Sequence, residues 1–251
     1  MKHLSVLFIF VCSFTLLQAQ QIISLGFKGG INIPGLSVNS SNPVVSGYKT
    51  LLSPSYGAVL ECGLNKKWSI LTEINYANTT VSKNGSQEIP KSGYESFGLT
   101  DLGNTNLYSN FYSKIQLRYL EAPLMLKYYI YQNDKINFFV NGGVFAGILF
   151  YGNVKTQGRD TVYTNAAHTT KFLPFPVSFN LQSLDVIDWL NAVNFGLQAG
   201  LGFTMKSDFG ELFANLTTTH GLMNIQMSSG DGVNKTKSLN LAVGYLFHLS
   251  K

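Results

Sequence analysis

Apolar and polar residues alternate one for one over eight separate stretches of this 251-residue chain. The most regular covers 193–205. Val193, Phe195, Leu197, Ala199, Leu201, Phe203 and Met205 hold its odd positions, and Asn194, Gly196, Gln198, Gly200, Gly202 and Thr204 its even ones. Successive side chains of a strand point to opposite faces, so period two predicts a strand with one apolar face. The same pattern predicts strands over 23–33, 55–64, 68–76, 120–130, 136–151, 210–218 and 239–249. Several exceed the five or six residues usual in globular sheets.

The links between these strands alternate in length. Asn65-Lys66-Lys67, 132–135 and 206–209 are short and polar, whereas 34–54, 78–114, 152–192 and 219–237 are long. Compact domains rarely hold several structureless loops beyond about 15 residues. Outer-membrane barrels pair short periplasmic turns with long outside loops as a rule.

Which face carries the charges separates this from a soluble eight-stranded barrel of the lipocalin kind, apolar within and charged without. Here Lys28, Glu61, Glu73, Glu121, Lys127, Gln198 and Glu211 lie opposite the apolar stripe, and the stripe itself is nearly free of charge. A lipid-facing charge costs about 2–4 kcal/mol near the bilayer midplane, which is a reason to exclude it; water offers none. The expected fold is therefore all-β: an eight-stranded antiparallel transmembrane β-barrel with short periplasmic turns and four long extracellular loops. Tyr56, Trp68, Tyr76, Tyr128, Tyr245 and Phe247 fall toward strand ends on the apolar side, where aromatic girdles belong. First and last strands should pair, because an open edge in lipid leaves backbone groups unsatisfied.

Eight strands leave room for side chains and not for a water-filled channel. The seven inward residues above are accordingly expected to form a paired polar core. A proton or ion path is the alternative. Inward glycines (Gly26, Gly30, Gly143, Gly147, Gly196, Gly200, Gly202, Gly244) are expected to make room for the long charged side chains.

Composition fits this picture. Charged residues make up 12% of the chain, about half the usual share, while hydrophobic residues stand at an ordinary 45% and Gly at 24. The formal charge is +5, but the basic residues are scattered, which argues against nucleic acid. Lys2 and His3, the apolar run 4–17 and Gln18-Ala19-Gln20 read as a secretory signal peptide over residues 1–19, cleaved to leave a barrel domain over 20–251. Cleavage removes Cys12, so Cys62 has no intramolecular partner for a disulfide.

Several segments in order and spacing resemble the PorT-like outer-membrane β-barrel family of Bacteroidetes-type bacteria. They are Gly26-Phe-Lys-Gly-Gly-Ile-Asn32, Tyr119-Leu-Glu-Ala-Pro-Leu-Met-Leu-Lys-Tyr128, Asn141-Gly-Gly-Val-Phe-Ala-Gly147, Asn194-Phe-Gly-Leu-Gln-Ala-Gly-Leu-Gly202 and His220-Gly-Leu-Met-Asn-Ile225. The family pattern often has Arg-Tyr ahead of the last segment, where this chain has Thr217-Thr-Thr-His220. The resemblance implies an outer-membrane location and eight strands. Its namesake takes part in assembling a protein-export apparatus, which makes an envelope or secretion-machinery partner one implication for this chain.

Catalytic chemistry is weakly signalled. His168 has Asp160 upstream and Thr169 beside it, and His220 stands near Ser228, Ser229 and Asp231, but no Gly-x-Ser-x-Gly elbow or His-Glu-x-x-His helix occurs. No cofactor and no metal site is expected, since no ligand spacing stands out. The third long loop carries more promise. Phe172, Phe175 and Phe179 belong to an apolar, extended run, and Ser183 could N-cap a short helix through Ala192 with Asp185 in its first turn. Leu184, Ile187 and Leu190 would share one face of it, with Trp189 beside them. Phe172, Phe175, Phe179 and Trp189 are thus expected to form a lid over the barrel mouth, or a surface that docks a partner or lipid. The 78–114 link, with Asn84-Gly85, Ser92-Gly93 and Leu102-Gly103-Asn104, reads as turn-rich and mobile. The functional expectation is a non-enzymatic, monomeric scaffold embedded in outer-membrane lipids, with a lipid- or small-ligand-handling enzyme at the extracellular rim as the alternative.

Overall fold

A computed structural model describes residues 22–38, 47–89, 94–99, 105–181, 183–227 and 233–249. The expected signal segment 1–19 lies outside these, as do Ser92-Gly93, Leu102-Gly103-Asn104, Ser228, Ser229 and Asp231. Eight antiparallel strands close into a ring. They are β1 (Ile23–Val38), β2 (Ser53–Gly63), β3 (Trp68–Glu88), β4 (Tyr108–Gln132), β5 (Ile136–Gln157), β6 (Val193–Ser207), β7 (Gly210–Gly221) and β8 (Asn234–His248). Each pairs with its neighbours in sequence, and β1 closes the ring against β8 from Ser24↔His248 to Val38↔Asn234. No edge is left to face lipid, as the hydrocarbon requires.

The short turns follow from single residues. Asn65 Oδ1 accepts the backbone N–H of Lys67 and Trp68 at 2.9 and 3.0 Å, and Asn133 Oδ1 accepts those of Lys135 and Ile136 at 2.8 and 2.6 Å. An Asn that bonds the backbone two residues on is a turn in its own right. In mid-strand, Pro123 has no N–H to donate. The β3–β4 ladder is interrupted there, between Thr72↔Leu124 and Asn75↔Glu121, and the Thr72 hydroxyl donates to the Pro123 carbonyl at 3.0 Å instead.

The apolar stripe faces outward. Phe27 is 65% exposed, and Ile31, Leu124, Ile148, Leu201 and Val243 are likewise bare, while Lys28, Asn32, Lys127 and Gln198 on the alternate positions are buried. Two aromatic girdles bound this surface. Near the long loops Tyr56 stacks on Tyr76 at 4.6 Å, with Phe150 at 6.1 Å from Tyr76; near the short turns Trp68 meets Tyr128 at 4.5 Å and Tyr245 meets Phe247 at 4.7 Å. Trp68 and Tyr76 are eight residues apart on β3. At about 3.3 Å per residue and a tilt of about 40° this gives roughly 20 Å between girdles, close to the ~25 Å apolar band of such barrels.

The strands overrun the membrane on one side. The expected strands 68–76, 120–130 and 136–151 end as β3, β4 and β5, whose upper parts pair from Asn78↔Arg118 to Glu88↔Tyr108 and from Tyr112↔Gln157 down the β4–β5 ladder. Asn84-Gly85, expected in a mobile turn, lies inside this ladder opposite Tyr112 and Phe111. An extra residue at Phe150 makes a bulge between Tyr119↔Leu149 and Arg118↔Tyr151, as bulges do where a strand must re-aim its side chains. A short strand, Lys49–Leu51, adds to β3.

The expected helix over 183–192 is replaced by other structure. Leu184–Asp185 is a strand piece paired with Val154 and Asn153, followed by a single 3-10 turn, Ile187–Trp189. A ten-residue helix is marginal on its own, and the β5 edge offers this segment a backbone partner. Ser183 does not cap a helix; its hydroxyl oxygen accepts from the Asn153 amide.

Candidate functional site: a plugged interior beneath an extracellular platform

Inward side chains fill the barrel in alternating polar and apolar layers. Nearest the short turns, Lys127 Nζ donates to Glu61 Oε2 at 2.8 Å, and the Tyr129 hydroxyl donates to Glu61 Oε1 at 2.9 Å. The Lys127 ammonium also lies 4.6 and 4.2 Å from the ring centres of Tyr129 and Phe139. Above this pair sit Val59, Leu71, Met125, Phe213 and Leu246, packed as one buried cluster. The next layer holds Lys28, whose Nζ donates to Glu73 Oε2 at 2.6 Å; the same oxygen accepts from Asn75 at 2.8 Å. Leu117, Tyr119, Leu149 and Ile225 close over it.

The expected polar core is therefore assembled only in part. Two of the four glutamates form ion pairs. Glu121 shares a small cavity of about 40 Å³ with Lys28, Asn32 and Gln198, and Glu211 borders a vestibule of about 780 Å³ at the short-turn end; neither makes an ion pair among the described residues. The glycines are also used differently. A Cβ on Gly147 would meet Glu121 Cγ at 3.1 Å, as expected, but those on Gly196, Gly202 and Gly244 would meet the rings of Phe145, Phe139 and Phe213 at 2.4, 2.6 and 2.5 Å. These three make room for aromatic rings, not for charges.

Above the membrane the extended strands and two loops build a second core. Ile89, Tyr94, Leu99, Leu107, Phe111, Val162 and Phe179 are buried together, with Phe97 and Phe172 packed against them. Phe179 stacks on Phe111 at 4.7 Å and meets Phe97 edge-on at 5.0 Å. Tyr94 fastens the β3–β4 connection: its hydroxyl donates to the Thr105 carbonyl at 3.0 Å and accepts the Leu107 N–H at 3.2 Å. Arg159–Asp160 pairs with Val177–Ser178, and Tyr163 exchanges both backbone hydrogen bonds with Tyr108 at 2.8 Å. Of the four residues expected in a lid, Phe179 is wholly buried, Phe172 packs beside it, Trp189 lines a cavity beneath, and Phe175 is left 58% exposed.

His168 lies on this platform in a left-handed backbone conformation (φ 57°), its ring stacked on Tyr163 at 4.4 Å. Its Nε2 is 2.9 Å from Ser86 Oγ, and its Nδ1 is 3.4 Å from Asn110 Nδ2, which donates to Asp160 Oδ2 at 2.7 Å. The Asn110 amide nitrogen thus lies between Asp160 and the His168 ring. The arrangement tethers β3, β4 and the loop. Asp160 is partly buried, which raises its pKa, but hydrogen bonds from the Thr161 and Asn110 backbone and the Asn110 amide, with the charge of His168, hold it below the usual carboxylate value. Ser86 and Asn110 carried no sequence signal as partners of His168. His220 is exposed on β7, and His248, at the short-turn end, shares a hydrogen bond of 2.8 Å with Ser24.

No curated protein matches the chain. Among solved structures it is similar to Ail, the attachment invasion locus protein of Yersinia pestis (12% identity over 89% of this chain and 98% of that one, TM-score 0.40). It is likewise similar to Neisserial surface protein A (9%, 88% and 96%, TM-score 0.40) and to OprG from Pseudomonas aeruginosa (13%, 92% and 99%, TM-score 0.40). The family model described as outer membrane protein beta-barrel domain matches residues 18–226. With a closed ring of lipid-facing strands and that match over most of its length, the chain belongs to the outer membrane protein beta-barrel domain family and resides in the outer membrane.

Proposed function

We propose that the protein is a non-enzymatic, monomeric scaffold: a sealed barrel that holds a folded platform at the cell surface for a protein partner. The observation that carries this reading is the aromatic core of Phe97, Phe111 and Phe179, which orders the two longest connections outside the membrane. Ordering loops costs conformational entropy, and a barrel that needed only to persist in lipid has no use for it. The layered interior favours a scaffold over a pore. Exposed Phe175 on this platform is a candidate contact. The finer form of the reading is that the partner belongs to an export or envelope-assembly system, as PorT-like proteins suggest.

Affinity capture from native outer membranes tests it, comparing the full chain with one whose residues 162–177 are replaced by a Gly-Ser linker. The expected result is that both migrate as heat-modifiable barrels and only the full chain retains a partner. Steady ion conductance of the full chain in planar bilayers would instead make it a pore.

A further inference from the structure

The outer face of the platform carries a row of cations. One register row crosses four strands, Lys49↔Ser82, Ser82↔Lys114 and Lys114↔Lys155, so these side chains share one face of the sheet. Lys114 and Lys155 stand directly opposite each other on β4 and β5, a placement that repulsion makes unfavourable. Lys49 and Lys155 are exposed and Lys114 is half-buried, and none of the three has an ion pair among the described residues. Four residues down β4, about 13 Å along the strand, Arg118 holds the same face. Its guanidinium lies over the Tyr151 ring, and its buried Nε has no partner among the described residues. The two lysines rim a groove of about 360 Å³, completed by Tyr112, Gln157, Asn180 and Leu181. Asn180 Oδ1 already accepts the Gly158 N–H at 2.9 Å, which leaves its amide N–H groups as donors. Among the described residues no carboxylate lines the groove. The carboxylate closest in register is Asp185, opposite Asn153, which lies two residues below Lys155; its Oδ1 accepts the Ile187 N–H at 3.0 Å.

We propose that this face is a binding site for a phosphorylated sugar of an outer-leaflet glycolipid, its phosphate held between the Lys114 and Lys155 ammonium groups. Charge sets the sign of the ligand. An anion between two opposed ammonium groups turns their repulsion into two charge-assisted hydrogen bonds, and a phosphate monoester brings close to two negative charges and three acceptor oxygens. Height sets its source. Leu120, opposite Tyr76, lies at the upper girdle, and Lys114 is six residues further up β4. At about 3.3 Å per residue and a tilt of about 40°, the lysine pair stands roughly 15 Å above the girdle. The headgroup zone adds only about 5–7 Å to each side of the hydrocarbon. A phospholipid phosphate therefore meets Arg118, roughly 5 Å up, and falls short of the lysines. A lipid whose phosphates are carried on sugars meets both. The face also runs without a break into the lipid-facing surface of β4, where Leu120 and Leu124 are exposed, so an occupant on it stands on the membrane. The proposal is independent of whether the platform has a protein partner.

The probe is fluorescently labelled rough lipopolysaccharide with phosphorylated core sugars. The full chain is titrated into it in neutral detergent micelles at about 0.15 M salt, and binding is read by anisotropy. Saturable binding is expected. Lys114→Gln with Lys155→Gln should weaken it by roughly tenfold or more. Lys66→Gln with Lys67→Gln, the same loss of charge at an exposed short turn, should change it by less than about twofold. Chemically dephosphorylated lipopolysaccharide should bind the unaltered protein no better than the intact lipid binds the Lys114 and Lys155 double variant. Phosphatidylglycerol in the same micelles should show no dependence on these lysines, and inorganic phosphate or a phosphoserine peptide should compete only in large excess. Heat-modifiable migration checks the fold; if the double variant loses it, Lys155→Gln, at the exposed position, is read instead and should still weaken binding by about threefold. Equal weakening by the Lys66 and Lys67 changes would mean attraction by net charge only and would overturn the proposal. So would unchanged binding to the Lys114 and Lys155 variant, or phosphatidylglycerol or free phosphate binding this face as tightly as the lipopolysaccharide. A phosphoserine peptide binding it more tightly would make it a protein interface and would equally overturn the glycolipid.

Discussion

On β4 the odd-numbered residues face inward from Ser109 to Tyr129, yet their chemistry reverses at Tyr119. Below it, Glu121 and Lys127 point in while Leu120, Leu124, Leu126 and Ile130 are exposed. Above it, Phe111, Ile115 and Leu117 line the cavity or core while Lys114, Gln116 and Arg118 take the outer positions. The Arg118 guanidinium, 4.2 Å from the Tyr151 ring centre, sits at the crossover. One strand thus follows two rules: apolar-out where the solvent is hydrocarbon, apolar-in where it is water. The backbone is the same in both halves, so the surrounding solvent decides which face is apolar. The membrane half keeps both of its buried lysines inside by pairing them with glutamates, and the extracellular half keeps an apolar core and a cavity.

The largest expected effect breaks the lower half. Lys127→Met leaves the Glu61 carboxylate buried without its ammonium partner, and removing one member of a buried pair costs about 3–5 kcal/mol. Urea unfolding in micelles should show that loss, and the double change Lys127→Met with Glu61→Leu should recover most of it, because a well-packed apolar replacement removes the orphaned charge. In the upper half, Phe179→Ala should cost a comparable ~3–5 kcal/mol, but only locally: protease should cut the 158–192 connection faster while the barrel keeps its heat-modifiable mobility. If the barrel melts together with the platform, the two halves are one cooperative unit. The same charge placed on the two outer surfaces sharpens the contrast further. Leu201→Lys, in the lipid-facing band, should cost about 2–4 kcal/mol, whereas Gln116→Lys, above the girdle, should change stability by less than about 0.5 kcal/mol.

This reversal also sets how far the sequence can be read. All eight strands and their outward faces are legible, because lipid imposes strict period two on 193–205 and its counterparts. Their upper ends are not. In 108–119 the apolar residues keep the inward parity but the outer face turns polar, and in 78–88 threonines and serines occupy both faces, so the stripe vanishes just where the strand continues. The inward charged residues are visible as a set, yet which pairs form is not: Lys28 meets Glu73 and Lys127 meets Glu61 across strands far apart in sequence. Glycine positions are visible as gaps, but whether Phe139 or a charged side chain fills one depends on packing. The segment 183–192 has helical spacing and short length, and an available strand edge decided against the helix. The cavity was hidden for a related reason, since Tyr48, Ile115 and Asn234 come from one connection and two strands far apart in sequence.

The smallest expected effect tests whether the tether at Asp160 belongs to the upper half alone. Its carboxylate accepts the Thr161 N–H at 2.8 Å and the Asn110 backbone and side-chain N–H groups at 3.1 and 2.7 Å, and these bonds favour the ionised form. A carboxylate whose folded pKa is depressed contributes stability above its unfolded pKa and loses it as pH falls through the folded one. Acidification should therefore loosen the platform, modestly because Asp160 lies near solvent and its bonds are screened. Amide exchange at Tyr163, whose N–H is held by the Tyr108 carbonyl, is the probe. After correction for intrinsic rates, its protection should fall between pH 6 and pH 3, and Asp160→Asn should flatten that dependence. Amides of β6 at Leu201, deep in the lipid-facing band, should show no such change, because Asp160 touches nothing below the girdle. Parallel loss at Leu201 would mean that acid acts on the whole barrel and that the platform has no stability of its own.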